Sequence, residues 1–257
     1  MNFIDSHGHI CHEYYENDFA EVLQRAINAQ VTQIILPCVS SKSIDDIIQV
    51  STEYPQHLFP LIGLHPTEVP EDYETELTKL KKYLTHPNIV GIGEIGLDFY
   101  HDQHNAQEQK LVFQRQLEWA VDRHLPVSLH IRSAYAEAFE ILKPFQNCGL
   151  TGILHCFSGG IQEAEWAIRF GFLLGIGGVV TFKNNKLKDI VKTVGIEHIA
   201  LETDCPFLAP TPYRGQRNES SYIPLIAQVV ADILECPLEK VAQTTTHNVR
   251  NIFTRIQ

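Results

Sequence analysis

Two histidines, one residue apart, follow the first apolar run of the chain. His7 and His9 stand in the stretch DSHGHI, directly after NFI. On a β-strand, residues i and i+2 point to the same side and lie about 6.6 Å apart. Two imidazoles placed in this way can hold one metal ion at about 2.1 Å from each nitrogen. Because H-x-H pairs also occur often in loops, the pair alone leaves metal binding and chance spacing as equal alternatives.

Four further polar side chains interrupt or close apolar runs in the same way. They are Glu94 in GIGEIGLD, His130 in PVSLHIR, His155 in ILHCFSG and Asp204 in ALETD. Each of them taken singly has an ordinary structural alternative, such as a core histidine, a helix N-cap aspartate or an ion-paired glutamate. Their shared position, toward the C-terminal ends of predicted strands, favours a single metal site.

The number of candidate ligands indicates two ions. Four histidines and two carboxylates are too many for one tetrahedral ion that keeps a position open for substrate. Two divalent cations that share a carboxylate fit better, since ions about 3.5–4 Å apart can clamp an attacked group between them. We predict that the ions, Mg²⁺, Mn²⁺ or Zn²⁺, are held by His7, His9 and Asp204 on one side, by His130 and His155 on the other, and by Glu94 as the bridge.

The hydrophobic pattern predicts the elements that would position these side chains. Continuous apolar runs alternate with amphipathic segments of helical period, as in a parallel sheet buried on both faces. The predicted strands are 2–6, 33–38, 58–64, 89–95, 126–131, 151–156, 171–177 and 198–204, and the predicted helices are 18–30, 43–53, 71–84, 106–124, 134–145, 161–170, 185–194 and 221–234, with a short helical tail after CPLEK. This alternation indicates an α/β chain folded as a (β/α)8 TIM barrel, in one domain over 1–257, with a doubly wound open sheet as the alternative.

Composition narrows the setting in which the protein works. The formal net charge of −11 argues against broad adhesion to nucleic acid, although bound cations can create a local positive site. The six cysteines are scattered without a C-x-x-C pair, which favours reduced thiols and a cytoplasmic location. We expect no signal peptide, no membrane contact and no obligate protein partner, because the sequence shows neither a signal pattern nor a membrane-length apolar run.

Six motifs in this order resemble those of the TatD family of metal-dependent deoxyribonucleases, in the amidohydrolase-like barrel superfamily. They are DSHGHI, GLHP, GEIGLD, LHIR, HCFSG and LETDCPFLAP, and they span nearly the whole chain. The resemblance implies the same barrel and the same six metal ligands. It also implies a DNase that cleaves phosphodiester bonds as a 3′-to-5′ exonuclease does. Two positions depart from the family pattern: Ser133 replaces an aspartate after H-x-R, and Ser220 replaces a proline after strand 8.

The expected reaction is attack on phosphorus by a metal-activated hydroxide. Asp204 and Glu94 are the predicted catalytic residues, and Asp204 also takes the proton of the attacking water. Substrate-binding roles are predicted for four residues near the rim: His65, Arg132, Glu202 and Arg214. Their structural alternatives are a turn residue for His65, a buried ion-paired carboxylate for Glu202, and solvated or ion-paired side chains for the arginines.

Two other functions stay open on the sequence alone. A two-ion site also serves attack on a carbonyl, so the alternative activity is hydrolysis of an ester or amide such as aminoacyl-tRNA. A non-catalytic protein that binds metal or nucleic acid is the second alternative. A set of phosphodiester, aminoacyl-ester and amide substrates assayed with Mg²⁺, Mn²⁺ and Zn²⁺ separates the three.

Overall fold

Eight parallel strands form the centre of the molecule. The computed structural model describes residues 1–101 and 104–256. The strands pair in chain order, each with the next, and they are β1 (Phe3–Asp5), β2 (Val31–Leu36), β3 (Leu58–Ile62), β4 (Gly91–Asp98), β5 (Val127–Arg132), β6 (Gly152–His155), β7 (Phe172–Ile176) and β8 (Ile199–Leu201). The amide of Ser6 donates to the carbonyl of Leu201 at 2.9 Å, which brings the two ends of the sheet together. The predicted (β/α)8 barrel is confirmed.

Helices follow the strands around the outside of the barrel. They are α1 (His12–Tyr15), α2 (Phe19–Asn28), α3 (Ile44–Glu53), α4 (Tyr73–Lys81), α5 (Ala106–Arg123), α6 (Tyr135–Leu142), α7 (Ile161–Phe170), α8 (Leu187–Val194), α9 (Ile223–Leu234) and α10 (Leu238–Ile252). The predicted helices 71–84 and 134–145 each end in a 3-10 turn, and the tail helix is longer than expected. Among the described residues, no single helix is long and apolar enough to cross a membrane, although the bent pair 220–234 and 238–252 passes that test jointly.

The apolar core has an outer layer and an inner one. The outer layer packs the helices against the strands, and the inner one fills the barrel with alternate strand residues. The inner cluster consists of Ile4, Ile35, Phe59, Leu61, Val90, Ile153, Leu173, Ala200, Val249, Phe253 and Ile256. Phe253 lies against Gly91 at the start of β4. A Cβ atom added to Gly91 would come within 2.9 Å of the Phe253 ring. The end of α10 and the residues after it therefore close the barrel floor.

Strands β1 and β8 are shorter than predicted. They end at Asp5 and Leu201, so His7, His9 and Asp204 lie in the loops that follow and not on strands. The prediction that strand 8 extends to residue 204 is therefore wrong, and so is the assumption that His7 and His9 share a strand. The cause is local, because Asp5 Oδ1 accepts from the backbone amides of His7 at 3.2 Å and of Thr203 at 3.0 Å. These side-chain hydrogen bonds take the place of ladder bonds.

Asp5 ties three segments together below the rim. Its Oδ2 accepts from the hydroxyls of Thr203 and Ser220, at 2.5 Å each. The Asp5 side chain is fully buried, and burial raises its pKa to about 7 although these four hydrogen bonds act in the opposite direction. Ser220 is one of the two departures from the family pattern, and its hydroxyl is a donor that proline lacks.

The first prediction concerns the barrel floor. Phe253→Ala should lower the free energy of unfolding by about 3–5 kcal/mol, because it removes a fully buried ring and leaves a cavity. Urea unfolding followed by circular dichroism measures the loss. Leu225→Ala on α9 is the matched control, since Leu225 is 37% exposed and should cost less than about 1 kcal/mol. Equal losses in the two variants would show that Phe253 does not close the barrel.

The second prediction concerns Asp5 and pH. A carboxyl whose pKa rises from 3.8 to about 7 on folding stabilises the protein most at low pH, and that contribution disappears as the pH rises toward 7. Asp5→Asn cannot ionise. The wild type should therefore lose free energy of unfolding relative to Asp5→Asn between about pH 4 and pH 7. Urea unfolding in EDTA across this range tests the sign, and a difference that stays constant or grows in favour of the wild type would contradict it.

Candidate metal centre

The centre is built around one buried carboxylate on β4. Glu94 is 3% exposed, and its two oxygens face different histidines. Oε2 lies 3.2 Å from His7 Nε2 and 3.8 Å from His9 Nε2. The loop after β1 supplies both of these rings. Oε2 of Glu94 thus faces the two histidines of the H-x-H motif.

The other oxygen of Glu94 faces the loop after β3 and the strands β5 and β6. Oε1 lies 3.0 Å from His130 Nδ1, 3.2 Å from His155 Nε2 and 3.2 Å from His65 Nε2. The registers of the parallel strands explain part of this, because His130 pairs with His155 across β5 and β6. Glu94 therefore divides the histidines into two groups.

Asp204 completes the side formed by His7 and His9. Its Oδ1 lies 3.5 Å from His9 Nε2 and 3.9 Å from His7 Nε2, while its backbone amide donates to the His7 carbonyl at 2.8 Å. The backbone of Asp204 is left-handed, with φ of 56°, a conformation that aspartate adopts more readily than most residues. This turn carries the carboxylate over the barrel mouth.

The donor atoms are suited to a divalent metal. Three sets place their ligand atoms within 4.8 Å of one another: His7, His155 and Asp204; His7, His9 and Glu94; His65, Glu94 and His130. All of these atoms are imidazole nitrogens or carboxylate oxygens, a combination that suits first-row divalent cations and Zn²⁺. The structure thus brings the six predicted ligands together and places His65 beside them.

Polar groups face the outer nitrogens of three of the histidines, and two of them make hydrogen bonds. His7 Nδ1 lies 3.0 Å from the Ser128 hydroxyl, and His130 Nε2 lies 2.9 Å from Asp98 Oδ2. His155 Nδ1 faces the buried Glu202 Oε1 at 3.4 Å. In each ring the remaining nitrogen faces Glu94. Metal-ligating histidines are typically held in this way, with a carboxylate or hydroxyl on the far nitrogen.

His65 differs from these rings, because its outer nitrogen accepts a hydrogen bond from the backbone. Its Nδ1 accepts from the backbone N–H of Thr67 at 3.1 Å, and a backbone amide can only donate. The proton of the neutral His65 ring therefore lies on Nε2, which faces Glu94 at 3.2 Å. His65 presents a hydrogen-bond donor to the cleft, which agrees better with the predicted substrate contact than with a metal ligand.

The charges of the centre are strongly coupled. Burial raises the pKa of Glu94, but His65, His155 and His7 outweigh burial and hold it well below its usual range. Burial lowers the pKa of His155, yet Glu94 and Glu202 raise it well above the ordinary value. His7 stacks on His155 at 3.5 Å, and burial together with His155 lowers its pKa. Glu94 thus draws a proton onto His155, and a metal cation can replace that proton.

Sequence reasoning missed Asp98 and His101. Asp98 is fully buried at the end of β4, and its Oδ2 accepts from His130 Nε2 at 2.9 Å and from His101 Nδ1 at 2.8 Å. Burial raises the pKa of Asp98, but these two histidines bring it below its usual range. Asp98 follows Glu94 by four residues, and residues an even number apart on a strand point to the same side. This spacing could have predicted that Asp98 faces the site. It was missed because strand 4 was predicted to end at residue 95.

The centre opens into a cleft of about 540 Å³ at the C-terminal rim of the barrel. Arg132 lines this cleft, and its guanidinium lies 3.9 Å from the centre of the Tyr100 ring. Phe207, 48% exposed, lines the cleft on the side of His9. The guanidinium of Arg214 stacks on Phe182 at 4.5 Å, and Arg214 is not among the described residues that line the cleft. Its predicted substrate contact stays a prediction.

Glu202 is likewise not among the described residues that line this cleft. It is fully buried behind His155, where its Oε1 accepts from the amide of Cys156 at 2.5 Å. Its carboxylate therefore lies outside the lining of the main cleft and beside a smaller cavity. Its position behind His155 suits the orientation of that histidine, while the predicted substrate contact of Glu202 stays a prediction.

Comparison with known proteins places these features in a family. Residues 4–254 match the family model described as TatD related DNase. The metal-dependent hydrolase YabD of Bacillus subtilis strain 168 is 36% identical over 250 residues, which cover 97% of this chain and 98% of that protein. The 3′-5′ ssDNA/RNA exonuclease TatD of Pectobacterium carotovorum strain PC1 is 28% identical over 245 residues, 93% of this chain and 94% of that one.

A solved structure agrees with this result. YjjV, the TatD homologue of Escherichia coli K12, superposes with a TM-score of 0.92 at 28% identity, covering 98% of each chain. The family model, the relatives and the fold therefore agree over nearly the full length. The chain belongs to the TatD family of metal-dependent hydrolases.

Proposed function

We propose that this chain is a metal-dependent nuclease that hydrolyses phosphodiester bonds at the 3′ end of single-stranded DNA. The observation that carries the proposal is Glu94, whose two oxygens face separate groups of histidines at the base of an open cleft. A shared carboxylate of this kind is suited to two cations, and paired cations are well adapted to in-line displacement at phosphorus. The name of the Pectobacterium relative, an ssDNA/RNA exonuclease, supports the same substrate class.

The residues of the centre would hold two divalent cations, Mg²⁺, Mn²⁺ or Zn²⁺. The division follows the two oxygens of Glu94. The first cation would be held by Glu94, His7, His9 and Asp204, and the second by Glu94, His130 and His155. Bound there, the cations would supply Lewis-acid activation of water and neutralise charge on the phosphoryl oxygens. Ser128 and Asp98 would keep the rings of His7 and His130 turned toward the centre.

Asp204 is the residue placed to accept a proton. Its side chain is 16% exposed, against 4% for Glu94, so it is the carboxylate that water in the cleft reaches more easily. Burial raises the pKa of Asp204, but His9, His155 and His7 keep it below its ordinary value. At neutral pH the Asp204 carboxylate can therefore act as a base, and it takes the proton of the attacking water. Glu94 acts through its position between the two histidine groups.

Three residues of the cleft would bind the nucleic acid. His65 Nε2–H can donate to a nonbridging phosphate oxygen, because its proton is fixed on that nitrogen. Arg132 at the mouth is suited to the next phosphate by its planar fork of donors, and Phe207 offers an exposed ring on which a base can stack. With a net charge of −11, the rest of the surface does not favour long contacts with DNA. Binding of a short free end fits this charge best.

The third prediction tests the shared carboxylate. Glu94→Gln removes a charge that both ions would need, so it should weaken both binding events by more than about 100-fold. His155→Ala should weaken mainly one of them. Titration calorimetry with Mn²⁺ and Zn²⁺ measures affinity and stoichiometry.

The matched control for that experiment is Glu68→Gln, since Glu68 lines the same cleft but belongs to none of the three ligand sets. It should bind as the wild type does. Two ions bound with unchanged affinity by Glu94→Gln would remove the bridging role. A wild type that binds no divalent cation would remove the whole proposal.

The fourth prediction tests the reaction. The wild type should shorten a 5′-labelled single-stranded DNA from its 3′ end, and EDTA should abolish this activity. Asp204→Asn keeps an oxygen ligand but loses the base, so kcat should fall by roughly 10²–10⁴-fold even at saturating metal. Full recovery of kcat when metal is added to Asp204→Asn would reduce Asp204 to a ligand.

An aminoacyl ester and a dipeptide amide assayed beside the DNA identify the bond that is attacked. We expect turnover of the phosphodiester with Mg²⁺ or Mn²⁺ and little turnover of the carbonyl substrates. Turnover of the ester or amide alone would replace the nuclease proposal by a carbonyl hydrolase. No turnover of any substrate with any of the three metals would support a binding protein.

A further inference from the structure

A second cavity lies beside the metal centre, among the loops that follow β6, β7 and β8. Its volume is about 230 Å³. Asp204 and Leu208 line both this cavity and the main cleft. A ligand bound in the main cleft can therefore place one of its groups in the cavity, next to the carboxylate that we assign as the base. The nuclease proposal uses the main cleft only.

Glu202 lines the cavity, and one oxygen of its buried carboxylate has no partner within the residues that the structure describes. Glu202 is fully buried, and its Oε2 has no hydrogen-bond partner among residues 1–101 and 104–256. This oxygen lies against Gly175, where a Cβ would come within 2.2 Å of it. Gly175 also lines the cavity. A buried oxygen of this kind is costly unless a ligand or water donates to it.

Asn185 adds a second acceptor to the lining of the same cavity. Its Nδ2 donates to the carbonyls of Val180, at 3.2 Å, and Phe182, and these bonds fix the orientation of the amide. Oδ1 must then be the free acceptor, and it is buried with no hydrogen-bond partner in the described part of the chain. Both oxygens belong to residues that line the cavity and both lack a donor from the described residues, so a ligand with hydrogen-bond donors would supply what they lack.

The other described lining residues are mostly apolar, and Lys186 is the cation among them. Phe157, Val179, Leu187 and Leu208 are apolar, and Gly177 adds a wall without a side chain. Lys186 lines the cavity and is exposed to solvent, so its ammonium is available to an anion outside. A ligand that fits has donors at its inner end, a flat apolar body and a negative charge at its outer end. A nucleotide whose base bears an exocyclic amino group has all three.

We propose that this cavity is a base-binding subsite that selects amino-bearing nucleobases. It would take the base next to the scissile phosphate, and this role rests on the proposed function. Adenine, cytosine and guanine carry an exocyclic amino donor, whereas thymine and uracil present carbonyl acceptors at the corresponding positions. Glu202 Oε2 and Asn185 Oδ1 would accept from the amino group, and a carbonyl there would meet two acceptors. Lys186 also disfavours the ammonium group of an aminoacyl ligand.

The fifth prediction tests the subsite by binding, without turnover. Titration of the metal-loaded protein with dAMP, dCMP and dTMP should show at least about fivefold tighter binding of dAMP and dCMP than of dTMP, from one lost hydrogen bond. All three nucleotides carry the same phosphate, so their contacts with the metals cancel in the comparison. Equal affinities for the three would overturn the subsite.

Two variants and a control locate the preference in this cavity. Asn185→Leu removes one acceptor. Gly177→Ala narrows the cavity, and the new alanine Cβ would come no closer than 3.6 Å to other residues, so the fold should tolerate it. Both should reduce the preference for dAMP over dTMP by at least about threefold, whereas Asn184→Ala, at an exposed neighbour, should keep it. If Asn185→Leu does not fold, Gly177→Ala decides. An unchanged preference in every variant that folds would overturn the assignment.

The outcomes separate this inference from the nuclease proposal. DNA cleavage without any base preference in binding overturns the subsite alone. A base preference in binding without cleavage of any nucleic acid supports the subsite as a nucleotide site and overturns the nuclease. Displacement of dAMP by alaninamide, with no nucleotide preference, would assign the cavity to an amine and overturn the inference.

Discussion

The site depends on placing one negative carboxylate where little water reaches it. Glu94 lies inside the barrel mouth, and its described ion-pair partners are all histidines. A buried charge costs free energy unless other charges compensate for it. Imidazole is the one side chain that can compensate either by holding a proton or by sharing a metal ion with the carboxylate. The histidines around Glu94 are therefore suited both to protons and to metal ions.

Loops provide the geometry that the strands do not. His7, His9 and Asp204 all lie beyond strand ends, and side-chain hydrogen bonds from Asp5 hold these loops together. Asp204 and Cys156, which follow β8 and β6, have positive φ values of 56° and 46°. Such conformations cost free energy in non-glycine residues and persist where surrounding contacts enforce them. The chain thus uses a regular barrel as support and places the sharp turns at the rim where chemistry occurs.

The sequence was sufficient for the barrel and for the convergence of the site, because strand order in a closed barrel determines which strand ends meet. The sequence was insufficient wherever a side-chain hydrogen bond replaces a backbone hydrogen bond. Asp5 ends β1 early through such bonds, and Asp98 was overlooked because β4 extends beyond the predicted residue. The proton position on His65 depends on a turn that brings the Thr67 amide to its ring. Cavities such as that beside Glu202 depend on side-chain packing, which no single-sequence pattern records.

The barrel floor has a consequence for the order in which the protein can be made. Phe253 and Ile256 belong to the inner cluster although they follow all eight strands in the chain. During synthesis the eight strands leave the ribosome before the residues of the floor do. A nascent barrel with every strand present still has an unfilled lower end, so its apolar interior is exposed to water there. The barrel can therefore close only after residues 253–256 are free to pack against the strands.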